Sequence, residues 1–474
     1  MSLTTRFGLV AGTTALAIAG SAFGGAESDN DALAQIAELK RELAELKQAE
    51  GQDWLTEQRA GEIRGIVQDV LADADTRTSF QSSGAMAGWN KGFFLASPDG
   101  NFKLNVTGFM QVRWTMNHRN GNNDGASTAD PSMTNGQVYG NEYEWGWEVA
   151  NAYLDFSGTV VDPSWSYHIR GNFGGLATTD GADVPGGFGV TFATVTKDLG
   201  DGLSVTAGQF RGPWLRETLV DDPYQLGVDR SVMNAYFTQD FNQGIQLNYE
   251  SDAFRANAFI GDGIVPAAGA VTGNAFANSA NTPWNATETN YAIAARGEYK
   301  ISGNWADFDN FTSFRGEEGG MMVGLAGFYE RGNQNAGALD GVKGYGLTAD
   351  FSWEMGGANL FASFVWTGAN GDNIDTKHPW GFNIQGGYFV TDDVEVFGRY
   401  ELVDYDLDVS GDTSKFNGFT IGANYFFSAN VRATVEWGTN FKSFGSDNFQ
   451  QGFRTDQPDE KNQWALRAQL QLMF

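Results

Sequence analysis

The chain has 474 residues, enough for several soluble domains or one large barrel. It has no cysteine, 62 glycines and 14% aromatic residues, which excludes a disulfide frame and suits β-structure with tight turns. A formal charge of −28 argues against a nucleic-acid partner, which would need a basic patch.

Residues 1–26 have the form of a secretory signal: Arg6, a short apolar core from Phe7 to Ile18, then small residues with cleavage after Ala26. Asp31 to Glu50 reads as a helix, with Ile36, Leu39, Leu43 and Leu46 in the a/d rhythm of a coiled coil. A helix this short is marginal alone, so it is expected to assemble with copies of itself and to reach toward the cell wall or brace an oligomer. A second helix is expected over Asp53 to Asp73, with Ile63, Ile66, Val67, Val70 and Leu71 as its apolar stripe, followed by a linker from Thr76 to Gly92. The chain thus divides into a signal (1–26), a periplasmic helical region (27–92) and a barrel (93–474). No later stretch reaches the ~18 consecutive apolar residues of a membrane helix. A chain of this kind crosses a membrane only as a closed barrel.

From Phe102 onward apolar and polar residues alternate. Sixteen such segments lie near 102–115, 147–158, 164–174, 188–198, 203–210, 243–250, 254–261, 290–300, 321–330, 344–354, 358–367, 380–390, 393–403, 416–427, 430–441 and 462–474. In the first, Phe109 breaks the pattern; in 188–198 the facing is ambiguous. In the last, Trp464, Leu466, Ala468, Leu470, Leu472 and Phe474 share one face, opposite Gln463, Arg467, Gln469 and Gln471. Such a strand needs oil on one side and water on the other. Connections alternate between short and long, which predicts an all-β, sixteen-stranded antiparallel transmembrane barrel with both ends on the short-turn side. Ile301 to Gly320 breaks the rhythm, being long where a short turn is expected.

Sixteen strands leave room for water, so the inward face is expected to be polar. Alternation turns Lys103, Arg113, Arg170, Arg255, Arg296, Lys300, Arg399, Arg432 and Arg467 inward, together with Asp155, Glu250, Glu298, Asp350, Glu354, Glu395, Glu401 and Glu436. These near-balanced charges are expected to pair or be solvated; the sharper alternative is separate basic and acidic walls that orient solutes. The loop from Arg211 to Asn242 is the candidate constriction, because a structureless loop that long is usually functional. Folded into the barrel, it would bring Arg211, Arg216, Glu217, Asp221, Asp222, Asp229 and Arg230 to the narrows.

The run G-Q-F-R-G-P-W-L-R-E (Gly208 to Glu217) resembles the G-Q-F-K-x-P-F-x-x-E segment of the phosphate-selective porin O/P family. D-R-S-V-M-N (Asp229 to Asn234), with Gly244 at the next strand start, and A-A-R-G-E-Y-K (Ala294 to Lys300) resemble its later elements. The resemblance covers about residues 100–474 and implies a trimeric outer-membrane porin with a constricting loop, passing small hydrophilic solutes and set in lipid and lipopolysaccharide. The family's anion chemistry, for phosphate above all, needs clustered cations. Here only Lys103 and Lys300 are inward lysines, and the loop arginines share their segment with four acids, so a general or weakly selective pore is expected. The alternatives are an outer-membrane anchor with adhesive loops and a soluble secreted β-protein. No cofactor, metal or enzyme motif stands out. Asp404, Asp406, Asp408 and Asp412 echo a calcium loop, but Val409 and Lys415 occupy the positions that need Gly and Glu, so a solvated acidic loop is expected.

Overall fold

The computed structural model describes residues 37–42, 85–119, 143–174, 176–179, 182–185, 188–264, 281–285, 289–333, 341–371, 374–406, 415–442, 451–453 and 462–474. The signal, the second helix and most of the coiled-coil segment lie outside these residues; residues 37–42 are helical. A hairpin pairs Met86–Trp89 with Phe93–Ala96.

Among the described residues, sixteen strands form the barrel within Gly100–Phe474, with short extra strands at Leu176–Thr179, Ala182–Pro185 and Ile374–Lys377. The sixteen are β1 (Lys103–His118), β2 (Tyr143–Val160), β3 (Asp162–Asn172), β4 (Gly189–Gly200), β5 (Leu203–Phe210), β6 (Asn242–Glu250), β7 (Phe254–Gly261) and β8 (Thr289–Ser302), then β9 (Gly320–Gly332), β10 (Lys343–Glu354), β11 (Ala358–Gly371), β12 (Trp380–Phe389), β13 (Val394–Asp404), β14 (Lys415–Ser428), β15 (Val431–Lys442) and β16 (Trp464–Met473). Each pairs antiparallel with its sequence neighbour, and β16 closes on β1 from Trp464↔His118 to Met473↔Phe109. Closure leaves no barrel edge to be satisfied by lipid. The terminal Phe474 exchanges both backbone hydrogen bonds with Gly108 at 2.9 Å, and its ring lies where a Cβ on residue 108 would stand.

Outward side chains are apolar and exposed, among them Leu325 at 62%, Leu347 at 56% and Val435 at 52%. A continuous wall of this kind is stable only against hydrocarbon. Among the described residues no helix is long and apolar enough to cross a membrane; the strands do the crossing.

The two irregular sequence patterns have local causes. In β4, the pairing with β3 shifts between Arg170 and Gly171, so one residue is unpaired and the facing flips within the strand. The unpaired residue is Thr191, so Val190 pairs with outward Gly171 while Phe192 pairs with inward Arg170 and stacks on His168 at 5.0 Å. Phe109 of β1 is inward too, edge-on to Tyr153 with centroids 4.6 Å apart.

The expectation of a uniformly polar lumen is corrected. Inward positions of β7–β9, β11, β13 and β14 include Phe259, Ala292, Ala294, Ala326, Phe328, Val365, Val403 and Phe416, all buried in one apolar cluster. They are apolar because the segment between β5 and β6 packs against them.

Candidate functional site

The segment from 211 to 241 lies inside the barrel. It is built from a single helical turn α1 (Arg216–Leu219), a 3-10 turn (Asp222–Tyr224) and a short helix α2 (Val232–Phe237). Ser231 caps α2 by accepting from the Asn234 N–H at 3.0 Å, and Asp221 caps the 3-10 turn. Short elements with frequent caps leave few backbone groups unpaired, as an interior segment requires. Trp214, Leu215, Val232, Met233 and Phe237 are almost wholly buried in the apolar cluster. The Trp214 indole N–H donates to the Phe237 carbonyl at 2.9 Å, tying the two ends of the segment together.

Charged side chains then pin this segment to the wall. The Arg170 guanidinium on β3 donates to both Asp221 oxygens, at 2.7 and 2.5 Å, and to Asp155 at 2.8 Å. Arg211 bridges Asp221 at 3.0 Å and Asp222 at 2.9 Å, and Arg230 pairs with Asp222. The result is an alternating ladder, Asp155–Arg170–Asp221–Arg211–Asp222–Arg230, with three acids and three bases. A second ladder runs Glu148–Arg113–Asp229–Arg467–Glu436, with Arg113 at 2.8 Å from Asp229 and 3.2 Å from Glu148. A third holds Arg296, which donates to Glu298 and Asp350 at 2.9 Å each and to the Trp214 carbonyl at 3.0 Å.

The remaining charges bind loop backbone. Arg399 donates to the Asp229 carbonyl at 2.8 Å, Arg432 to the Gln225 carbonyl at 2.9 Å, Glu436 accepts from the Val228 N–H at 2.8 Å and Glu401 from the Met233 N–H at 3.3 Å. Glu217 accepts from the Ser231 N–H at 2.6 Å, and Arg216 donates to the Phe308 carbonyl. Of the inward charges inferred from the sequence, Arg113, Arg170, Arg296, Arg399, Arg432, Arg467, Asp155, Glu298, Asp350, Glu354, Glu395, Glu401 and Glu436 are buried, whereas Lys103, Glu250, Arg255 and Lys300 keep exposure. Burial pushes the Asp229 carboxyl up, and the guanidiniums of Arg113 and Arg467 outweigh it, holding the group at about 2. Burial likewise opposes ionisation of Asp221, and Arg170 and Arg211 hold it well below the usual carboxylate range.

The sequence reading missed a second insertion. The long connection after β8 also turns into the barrel, from the opposite end. Trp305 and Phe308 of its 3-10 turn (Trp305–Phe308) are buried, as is Phe311, and the Phe311 N–H donates to the Tyr224 carbonyl at 3.0 Å, so the two inserted segments meet. Four aromatic residues in one supposed turn (Trp305, Phe308, Phe311 and Phe314) were the available signal.

These insertions cover one side only. Every inward side chain of β9–β13 is buried. On β4–β7 the inward residues Thr194, Thr196, Ser204, Thr206, Gln246, Asn248, Arg255 and Asn257 are partly exposed. An inward side chain on a closed barrel can be exposed only to the lumen, so this wall borders its open part. Of the acidic run after β13, Asp404 pairs with Lys415 at 2.9 Å and Asp406 accepts from the His378 N–H at 2.6 Å; Asp408 and Asp412 lie outside the described residues. Among the described residues no group of three metal-ligating side chains gathers.

Comparison with known proteins agrees with this architecture. The sequence profile of the family described as phosphate-selective porin O and P matches residues 125–474. No curated protein sequence matches the chain. Among solved structures, OmpF of Salmonella typhi in complex with daunomycin superposes with a TM-score of 0.51 at 11% identity, covering 82% of this chain and 100% of that one. The anion-selective porin from Comamonas acidovorans gives 0.47 at 13% identity, covering 78% and 99%. OmpT of Vibrio cholerae gives 0.46 at 12% identity, covering 79% and 98%.

Proposed function

Given that the chain belongs to the phosphate-selective porin O and P family, and so is an outer-membrane porin for passive diffusion, we propose that solutes pass along the β4–β7 wall and that selectivity is weak. The observation that carries this reading is the pairing of the lumen arginines. Anion preference for phosphate would need guanidiniums facing water, whereas the side chains of Arg113, Arg170 and Arg211 are 8%, 8% and 6% exposed, each against carboxylates. Arg211, Asp221, Asp222, Asp229 and Arg230 border the narrows on the loop side, while Arg216 and Glu217 secure the loop from within. The working assembly is a homotrimer in lipid and lipopolysaccharide, as the family implies, and the N-terminal coiled coil contacts the cell wall. The competing idea of an inert anchor fits less well, because a solid plug would bury both walls.

Planar-bilayer recording on the purified protein is the test. Discrete conductance steps, with a small reversal potential in asymmetric potassium chloride, are expected. A silent bilayer overturns the open path, and a large anion-selective reversal potential overturns the weak selectivity.

A further inference from the structure

On the open wall the inward groups are amides and hydroxyls joined side to side. Asn248 is at the centre: its amide N–H groups donate to Ser204 at 3.3 Å and Thr206 at 3.1 Å, and its oxygen accepts from Gln246 at 2.5 Å and Asn257 at 2.8 Å. Thr206 shares a hydrogen bond with Thr196 at 2.9 Å. The set spans four adjacent strands, and the charges at its short-turn end, Glu250 and Arg255, pair with each other at 2.8 Å. An amide has two N–H donors and an oxygen with two lone pairs, so Gln246 and Asn257 keep capacity after bonding Asn248.

We propose that this wall is a track for neutral, hydroxyl-rich solutes, the chemistry of small sugars and polyols. The inference rests on the porin reading and names its substrate class. A hydroxyl both donates and accepts, so a polyol moving past Thr196, Ser204, Thr206, Gln246, Asn248 and Asn257 exchanges water hydrogen bonds for equivalent ones. An anion or cation leaves hydration behind and meets charges that are already neutralised. Fixing the amides through Asn248 holds the track in one geometry, which lowers the ordering cost of each contact.

Osmotic swelling of proteoliposomes tests this with glucose, gluconate and glucosamine, which share a carbon skeleton and differ in charge. With the unaltered protein, glucose is expected to enter faster than either ion by roughly fivefold, the factor for one net hydrogen bond. The variant Asn248→Leu with Thr206→Val keeps similar bulk and removes the hub. It is expected to slow glucose by about fivefold more than it lowers potassium chloride conductance. Equal rates for the three solutes, or a fall in glucose entry that only tracks conductance, overturns the proposal. A protein with no potassium chloride conductance refutes the porin reading instead, so the two failures are told apart.

Discussion

The β4–β7 wall and the β9–β13 wall belong to one barrel and obey the same alternation, yet they do opposite work. On β4–β7 most inward residues are polar and partly exposed, Thr194, Thr196, Ser204, Thr206, Gln246, Asn248 and Asn257 among them, with the Glu250–Arg255 pair at the short-turn end. On β9–β13 they are fully buried, with Phe328, Phe361, Val365 and Phe397 beside Asp350, Glu395 and Arg399. The outer faces of both walls are equally apolar. What separates them is the partner of the inner face: lumen water on one side, inserted chain on the other. A sixteen-stranded barrel therefore does not imply a lumen of full width, because the loop and the post-β8 segment convert the β9–β13 side into protein core.

Substitutions should separate the walls in proportion to burial. The largest effect is expected in the packed half: Arg296→Met leaves Glu298 and Asp350 buried without their partner and should cost about 3–5 kcal/mol, read from urea unfolding by tryptophan fluorescence. A loss below about 1 kcal/mol, the scale of an exposed pair, would mean that water reaches this side.

Next comes the clamp between loop and wall. Asp221→Asn removes the charge that Arg170 and Arg211 share and should cost roughly 1.5–3 kcal/mol of loop anchoring. It also leaves the first ladder with three bases and two acids, so the reversal potential should move toward anions while unit conductance rises. Acid is expected to do the same more gradually. The folded carboxyls of Asp221 and Asp229 lie below the usual ~3.9, so their contribution is fully present above that value and is lost as pH falls through the folded one, about 2 for Asp229. The contribution of these two carboxyls should hold steady down to pH 4 and change only on approach to pH 2.

The smallest effect belongs to the open wall. Thr206→Val, on its own, should shift stability by less than about 1 kcal/mol, because the hydroxyl is partly exposed and its neighbours can turn to water. A larger loss would place Thr206 in packed protein.

The barrel itself was legible because lipid imposes a strict rule: a strand with hydrocarbon on one side must keep that side apolar, and Trp464, Leu466, Ala468, Leu470, Leu472 and Phe474 do so without a break. Charges such as Arg113 and Glu436 were assigned their inward direction by the same period. Their partners could not be read, since Arg113 meets Asp229 across 116 positions and Arg467 meets Asp229 across 238. The insertion of 211–241 was foreshadowed by its length, but its cover over β9–β13 was not. Phe328 and Val365, inward and apolar, pack in the same cluster as the loop's Trp214, Met233 and Phe237. The segment after β8 was hidden for the opposite reason: its position in the rhythm marked it as a turn, and its aromatic content was the only sign of burial.

The absence of cysteine makes the asymmetry directly measurable. Single cysteines placed at Thr206 and Asn248 on one wall, and at Ser363 and Gln385 on the other, can be challenged with a charged, water-soluble methanethiosulfonate during single-channel recording. Modification of Thr206→Cys and Asn248→Cys should reduce unit conductance, while Ser363→Cys and Gln385→Cys stay unreactive. Equal reactivity on both walls, or reaction confined to positions 363 and 385, would contradict a lumen that is open along β4–β7 and packed along β9–β13.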